Sequence, residues 1–297
     1  MEKSMLTPSG IIPALITPLS AKEELNLKAL RKLTNYVIEN GVHGVFASGS
    51  QGEFWAFSAE EKLRIWEAVV DETNQRVPVY AGTAAITTRE AVQLTQAAEK
   101  AGVDAVSVLT PYFINPNGEE LYEHFRAIAA STRLPVLLYT NPDRTGVKMP
   151  AALVARLAQI DNIVGIKDSS GDLTLAQEYL SSAPANFSLV MGRDTLIFSG
   201  LLHGARGAIA ATANVVPALV VKIYECFKRG DIAGSLKAQE ALAPLRLAFT
   251  WGTFPVVIKE ALDLIGMEGG PCRAPVGAMS AAQRERLNNL LKELNLI

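Results

Sequence analysis

Lys167 ends an otherwise apolar run, IVGIKDS at 163–169, and Tyr139 stands near the end of another, PVLLYTN at 135–141. Lysine is rarely taken into a core unless it is paired or used. An amine attacks a carbonyl only when unprotonated, and a reference pKa near ~10.4 leaves little free amine at neutral pH. Desolvation lowers that value. A Schiff base between Lys167 and a 2-oxo acid would then act as an electron sink. The phenol of Tyr139, if adjacent, could carry protons to and from the carbinolamine and the aldol hydroxyl. The competing reading is that Lys167 only pairs with a carboxylate such as Asp168. Adjacent strand residues point to opposite faces, which weakens Asp168 as that partner.

The two residues can meet only if the fold brings their strands side by side. Eight β-rich runs stand out, at 11–18, 44–50, 77–83, 104–110, 135–141, 163–169, 187–193 and 207–213. Each is followed by a helical pattern, and βα-unit spacing of this kind implies a parallel sheet. Capping boxes are expected at Ser58 with Glu61 and at Thr87 with Glu90. Glycines in IENGV (38–42) and EKAGV (99–103) suit the left-handed residue that ends a helix. Eight units point to a (β/α)8 TIM barrel rather than a doubly wound sheet. The barrel is assigned to 1–230, with a C-terminal helical appendage over 231–297 in the same structural unit.

In such barrels chemistry gathers where the strands end. Those ends are rich in functional groups here: Ser48 to Glu53, Thr83, Tyr139 to Asn141, Lys167 to Ser169, Arg193 and Asp194. Alternation puts Val164 and Ile166 on one face and Gly165, Lys167 and Ser169 on the other. It likewise groups Leu137 with Tyr139. Lys167 and Tyr139 should then both point into one barrel mouth. Lys259, in the helical pattern VVIKEAL, is expected to snorkel to solvent.

The remaining composition narrows the partners. The chain has 297 residues, 49% hydrophobic and 20% charged, with a formal net charge of -2. No basic block marks a nucleic-acid or membrane-binding face. The two cysteines, Cys226 and Cys272, form no CxxC pair, so a reducing compartment is expected. The opening MEKSMLTPSG has no apolar h-region, and no apolar run reaches bilayer length. A soluble, cytoplasmic protein acting on a small molecule is the expectation. The three histidines, His43, His124 and His203, are scattered without metal-site spacing, so no metal is expected. The stretch ASGSQGEF (47–54) is neither a GxGxxG fingerprint nor a Walker loop. Its turn could hold a carboxylate through backbone N–H groups and the Ser50 hydroxyl, or could be a plain tight turn. The loops after the seventh and eighth runs, MGRDT and ATANVVP, are not glycine-rich, so a phosphorylated substrate is not expected.

Taken together, GSQGE, TPYF, YTNPDRTG and GIKDSSGD make the chain resemble the dihydrodipicolinate synthase / N-acetylneuraminate lyase superfamily of class I pyruvate aldolases. The likeness runs from GIIPALITPL to the C-terminal helices. It implies Lys167 as the Schiff-base lysine and Tyr139 as the proton shuttle. It implies that Ser50 and the backbone around Gln51 hold the pyruvate carboxylate, that no cofactor is used, and that the chain forms a homotetramer, a dimer of dimers. Arg144 matches the arginine that the synthases use for the carboxylate of aspartate semialdehyde. Gln51 stands where the synthases have a second threonine. Phe113 stands at the relay position, where they carry a tyrosine lent by the neighbouring subunit, and it lacks the hydroxyl. Sialic acid lyases usually have an acidic pair after the seventh strand and a serine in the eighth. This chain has Asp194 with Thr195, and Ala211 at the serine position. Ile209, in the eighth run, completes the candidate substrate-binding residues.

The expected activity is therefore a pyruvate-dependent aldolase or lyase that cleaves or forms a 4-hydroxy-2-oxo acid, of the 2-oxo-3-deoxy sugar-acid kind. The alternatives are 4-hydroxy-tetrahydrodipicolinate synthase, N-acetylneuraminate lyase and, in a different class, a non-catalytic 2-oxo acid sensor.

Overall fold

The computed structural model describes residues 6–297. Eight parallel strands follow one another round the sheet: β1 (Gly10–Pro13), β2 (Val45–Ala47), β3 (Val79–Gly82), β4 (Ala105–Leu109), β5 (Val136–Thr140), β6 (Ile163–Asp168), β7 (Ser188–Met191) and β8 (Gly207–Ala210). β1 pairs with β8, and a single parallel bridge, Ala14 with Phe46, joins β1 to β2 and closes the barrel. The TIM barrel expected from the eight runs is the observed fold. Each strand is shorter than its run, because the trailing polar residues leave the ladder and form the loops at the barrel's mouth.

The helices between strands are α1 (Leu27–Glu39), α2 (Ala59–Thr73), α3 (Thr88–Lys100), α4 (Gly118–Ala130), the short α5 (Pro142–Thr145), α6 (Ala151–Leu157), α7 (Leu173–Ser182) and α8 (Ile197–Leu202). After β8 come α9 (Pro217–Lys228), α10 (Ile232–Leu247), α11 (Val256–Leu264) and α12 (Ala281–Glu293). The capping box at Ser58 and Glu61 forms with both bonds. The box expected at Thr87 is one-sided. Thr87 accepts from the Glu90 N–H, but the Glu90 carboxylate does not return a bond and lies close enough to Lys62 and Tyr112 to act on their charges. Gly41 and Gly102 take the left-handed conformation after α1 and α3, with φ of 83° and 85°. No single helix among the described residues is long and apolar enough to cross a membrane.

Side-chain alternation builds two cores. Outward-facing residues such as Val106, Val108, Val136 and Leu138 meet the helices, where Trp66 and Phe125 are fully buried. Inward-facing Ile12, Phe46, Tyr80, Leu137, Val190 and Ile209 fill the barrel. The expected alternation fails at one residue. Val136 pairs with Ile163, but the next residue, Leu137, pairs with Gly165, so Val164 is an extra residue in β6. Ile163 and Ile166, not Val164 and Ile166, therefore face the helices together. Beyond the irregularity the expected faces hold, and Tyr139 pairs with Lys167.

Lys259 corrects a second expectation. Its side chain is wholly buried on α11, and Nζ donates to Glu53 Oε1 at 2.6 Å and to the Pro271 carbonyl at 2.6 Å. It does not snorkel, because α11 is buried along nearly its full length and a carboxylate waits inside.

Burial of this kind sets a stability expectation. Trp66→Ala should cost about 3–5 kcal/mol in a denaturant melt. Leu202→Ala, at a position 52% exposed, should stay within about 0.5 kcal/mol. Equal losses at the two positions would mean that the helix layer is not packed as described.

Candidate active site

The strand ends enclose a cavity of about 290 Å³ whose wall includes Ser50, Gln51, Tyr139, Arg144, Lys167, Asp194 and Ile209. Seven of the nine residues singled out from the sequence thus share one space. β5 and β6 place Tyr139 and Lys167 side by side, both buried. Lys167 Nζ lies 4.1 Å from the centre of the Tyr139 ring and 5.0 Å from that of Phe46. Asp168 is not its partner: it points the other way, where its Oδ1 accepts from the Ser170 N–H at 2.8 Å.

The Tyr139 hydroxyl is surrounded by donors. Asn141 Nδ2 donates to it at 3.1 Å, and Ser50 Oγ lies 3.5 Å away. Burial pushes the phenol up. The positive charge on Lys167 and the hydrogen-bonding groups of Ser50, Asn141 and Ser169 outweigh burial and hold it below the usual phenol range. Gly192 is needed beside this cluster, since a Cβ there would stand 2.0 Å from Ser169 Oγ.

Ser50 belongs to a tight turn after β2 in which the Glu53 N–H donates to the Ser50 carbonyl at 3.2 Å. The next side chain, Gln51, is buried, yet neither its Nε2 nor its Oε1 has a hydrogen-bond partner. A buried carboxamide left unpaired is costly, so this one is available to a ligand. The roof comes largely from the C-terminal segment. The Arg144 guanidinium stacks 4.2 Å from the Phe254 ring, and that of Arg246 lies 4.7 Å from Phe249. Arg193 donates to the Ser169 carbonyl at 2.9 Å and pairs with Asp143. Four cationic side chains thus line the cavity against two carboxylates, Asp143 and Asp194, in a chain whose net charge is -2. This local excess favours an anionic ligand.

Two expected residues lie elsewhere. Thr195 sits in the 3₁₀ turn Asp194–Leu196 but does not reach the cavity wall. That turn aims Asp194 inward instead, and its Oδ2 accepts from Thr212 N–H at 2.7 Å and Thr212 Oγ1 at 2.6 Å. Phe113 is 92% exposed on the surface of its own chain, with φ at 73°. Its neighbour Tyr112 turns the other way and packs edge-on against Phe54. Asn141 and Ser169 were missed as site residues, although each stands two positions beyond a chosen one and so shares its face. Arg246, Phe249 and Phe254 left no signal, because only tertiary packing brings them to the mouth. Among the described residues, no group of three or more His, Cys, Asp or Glu side chains is placed to hold a metal ion.

The environment of Tyr139 can be read directly by absorbance. Tyr139 should ionise below the usual ~10. Burial pushes Tyr36, Tyr80, Tyr112, Tyr179 and Tyr224 upward. A pH titration near the tyrosinate band should lose the low-lying step in Tyr139→Phe. An unchanged curve would show that Lys167 does not act on the phenol.

The chain matches the Dihydrodipicolinate synthetase family over residues 7–294. It is 37% identical to the 4-hydroxy-tetrahydrodipicolinate synthase of Desulforudis audaxviator, over 97% of this chain and 98% of that one. It is 39% identical to the 4-hydroxy-tetrahydrodipicolinate synthase of Methanopyrus kandleri, over 97% of each. Among solved structures it is similar to YagE, a prophage protein from E. coli K12 of the dihydrodipicolinic acid synthase family, in complex with pyruvate. The TM-score is 0.94 at 32% identity, covering 97% of this chain and 99% of that one. The motifs, the barrel and these likenesses agree: the chain belongs to the dihydrodipicolinate synthetase family.

Proposed function

We propose that the protein is a class I aldolase or lyase that forms a Schiff base between Lys167 and pyruvate, and reversibly cleaves a 4-hydroxy-2-oxo acid. One observation carries the reading: the β5–β6 register sets a buried amine against a buried phenol inside an anion-favouring cavity. The carboxylate of pyruvate meets the Ser50 hydroxyl and the backbone N–H groups of the turn at Gln51. The Lys167 ammonium gives a proton to the Tyr139 phenolate, and the freed Nζ adds to the C2 carbonyl. Tyr139 passes a proton to the carbinolamine oxygen, which leaves as water and gives the iminium. The Tyr139 phenolate takes a C3 proton to give the enamine, whose C3 attacks an aldehyde carbon while the aldehyde oxygen takes the proton back from Tyr139; water then hydrolyses the product iminium and frees Lys167. Cleavage runs the same path in reverse, with the proton of the C4 hydroxyl passing to Tyr139. A phenol held below its ordinary range suits a shuttle, because proton transfer is fastest when donor and acceptor pKa values approach the working pH.

A second reading, 4-hydroxy-tetrahydrodipicolinate synthase, is favoured by the names of the relatives and by Arg144 at the mouth, stacked on Phe254. Phe113, without a hydroxyl, and Gln51, with its unpaired carboxamide, favour the first. A homotetramer remains the expected assembly, and the exposed Phe113 on a strained backbone is its best support. The segment 231–297 works with the barrel as one unit, since its Arg246, Phe249 and Phe254 roof the cavity.

Borohydride added with pyruvate should leave one reduced pyruvate imine on the Lys167 peptide. Lys167→Ala should abolish this, and Tyr139→Phe should lower kcat by about 10²–10⁴-fold. An adduct on another lysine, or none, would overturn the mechanism. Screening aldehydes with pyruvate and the untreated enzyme then ranks the two readings: turnover highest with aspartate semialdehyde would favour the second.

A further inference from the structure

Away from the reacting atoms, the mouth of the barrel holds one ion pair with no access to water. Glu53 and Lys259 are each 0% exposed, although their positions are far apart in the chain. Glu53 Oε1 accepts from Lys259 Nζ at 2.6 Å, and Glu53 Oε2 accepts from the Arg273 N–H at 3.1 Å. Lys259 also donates to the Pro271 carbonyl at 2.6 Å. A buried pair seldom stabilises a fold more than apolar residues of the same size would, so its retention calls for another explanation.

The backbone shows where the pair acts. Glu53 sits in the left-handed region at φ 56° and ψ 40°, which a residue with a Cβ rarely adopts unless held there. In that conformation its N–H closes the turn onto the Ser50 carbonyl at 3.2 Å. The Gly52 carbonyl is held in turn by Thr17 Oγ1 at 2.8 Å. The side chain of Glu53 is therefore the tether that keeps the turn closed, and Lys259 is the post. The same helix, α11, faces the turn a second time, since Val257 and Ile258 line a narrow gap beside Gln51. Ser50 Oγ still lies 3.5 Å from Tyr139, so a small movement of the turn changes whether the two hydroxyls bond.

We propose that Glu53 and Lys259 are positioning residues that lock the Ser50–Gln51 turn in its carboxylate-binding shape. The C-terminal helix α11 thereby sets pyruvate capture rather than only the fold. This rests on the aldolase reading, in which that turn receives the carboxylate.

The test uses the full-length protein with Glu53→Gln/Lys259→Met, Glu53→Asp and Ser50→Ala. The double change removes both charges together, whereas a single change would leave one buried alone. Glu53→Asp keeps the charge but shortens the tether. The readouts are the pyruvate concentration for half-maximal borohydride trapping on Lys167, the trapping at saturation, and the melting curve. In both Glu53 variants the half-saturating pyruvate should rise about tenfold or more. Trapping at saturation should stay within about threefold. Adding Ser50→Ala should raise half-saturation by less than the product of the separate effects, because both changes disturb one turn. Folded variants that half-saturate where the parent does, or effects that multiply independently, would reduce the pair to a structural role and overturn the proposal. If the double variant does not fold, Glu53→Asp decides on the same readout. A parent chain that traps no pyruvate would overturn the aldolase reading, and the proposal with it.

Discussion

One extra residue in β6 decides what faces Tyr139. Counting straight from the Val136–Ile163 pair would set Tyr139 beside Ile166 and leave Lys167 beside Thr140. The irregularity at Val164 advances β6 by one position, and the observed partners become Tyr139 with Lys167 and Thr140 with Asp168. In a strand, a one-residue slip reverses which face every later side chain occupies. Here it puts the amine inside the barrel, above the interior apolar layer, and sends Asp168 outward. The proposed chemistry depends on that offset, because no loop could hold the two groups as firmly as adjacent ladder positions do.

Around this pair the protein supplies charge and dryness rather than further nucleophiles. The ammonium side of Lys167 is met by the faces of Phe46 and Tyr139, and no ion pair to it forms among the described residues. Cation–π contact stabilises a charge less than a carboxylate partner would. A lysine left in this way stays accessible to a carbonyl. Arg144, Arg193 and Arg246 line the same cavity. The C-terminal segment closes the space above, stacking Phe249 and Phe254 against two of those arginines. They also reach behind the Ser50 turn through Lys259.

Much of this was legible in the sequence, for identifiable reasons. The eight βα units repeat a period that few folds share, and alternation from Gly165 onward gives the right face for Lys167. The face of Val164 is not legible, because periodicity assumes an unbroken ladder and an inserted residue leaves no compositional mark. The burial of Lys259 is hidden for a related reason. A lysine in an amphipathic helix is normally a surface residue, and only the fold brings a buried Glu53 to meet it. Thr195 follows Asp194 in the 3₁₀ turn, and the cavity wall includes Asp194 but not Thr195. Asn141 and Ser169 were within reach of the same alternation rule that found Tyr139 and Lys167.

In the proposed chemistry Lys167 and Tyr139 act as one unit, the first as electron sink and the second as proton carrier. Exchange of the pyruvate methyl protons with D2O, followed by ¹H NMR in the absence of any aldehyde, tests both roles at once. Exchange requires an iminium at C2 and a base that removes a C3 proton. The parent chain should exchange, Lys167→Ala should show nothing above background, and Tyr139→Phe should be slower by about 10²-fold or more. Exchange that persists in Lys167→Ala would contradict it.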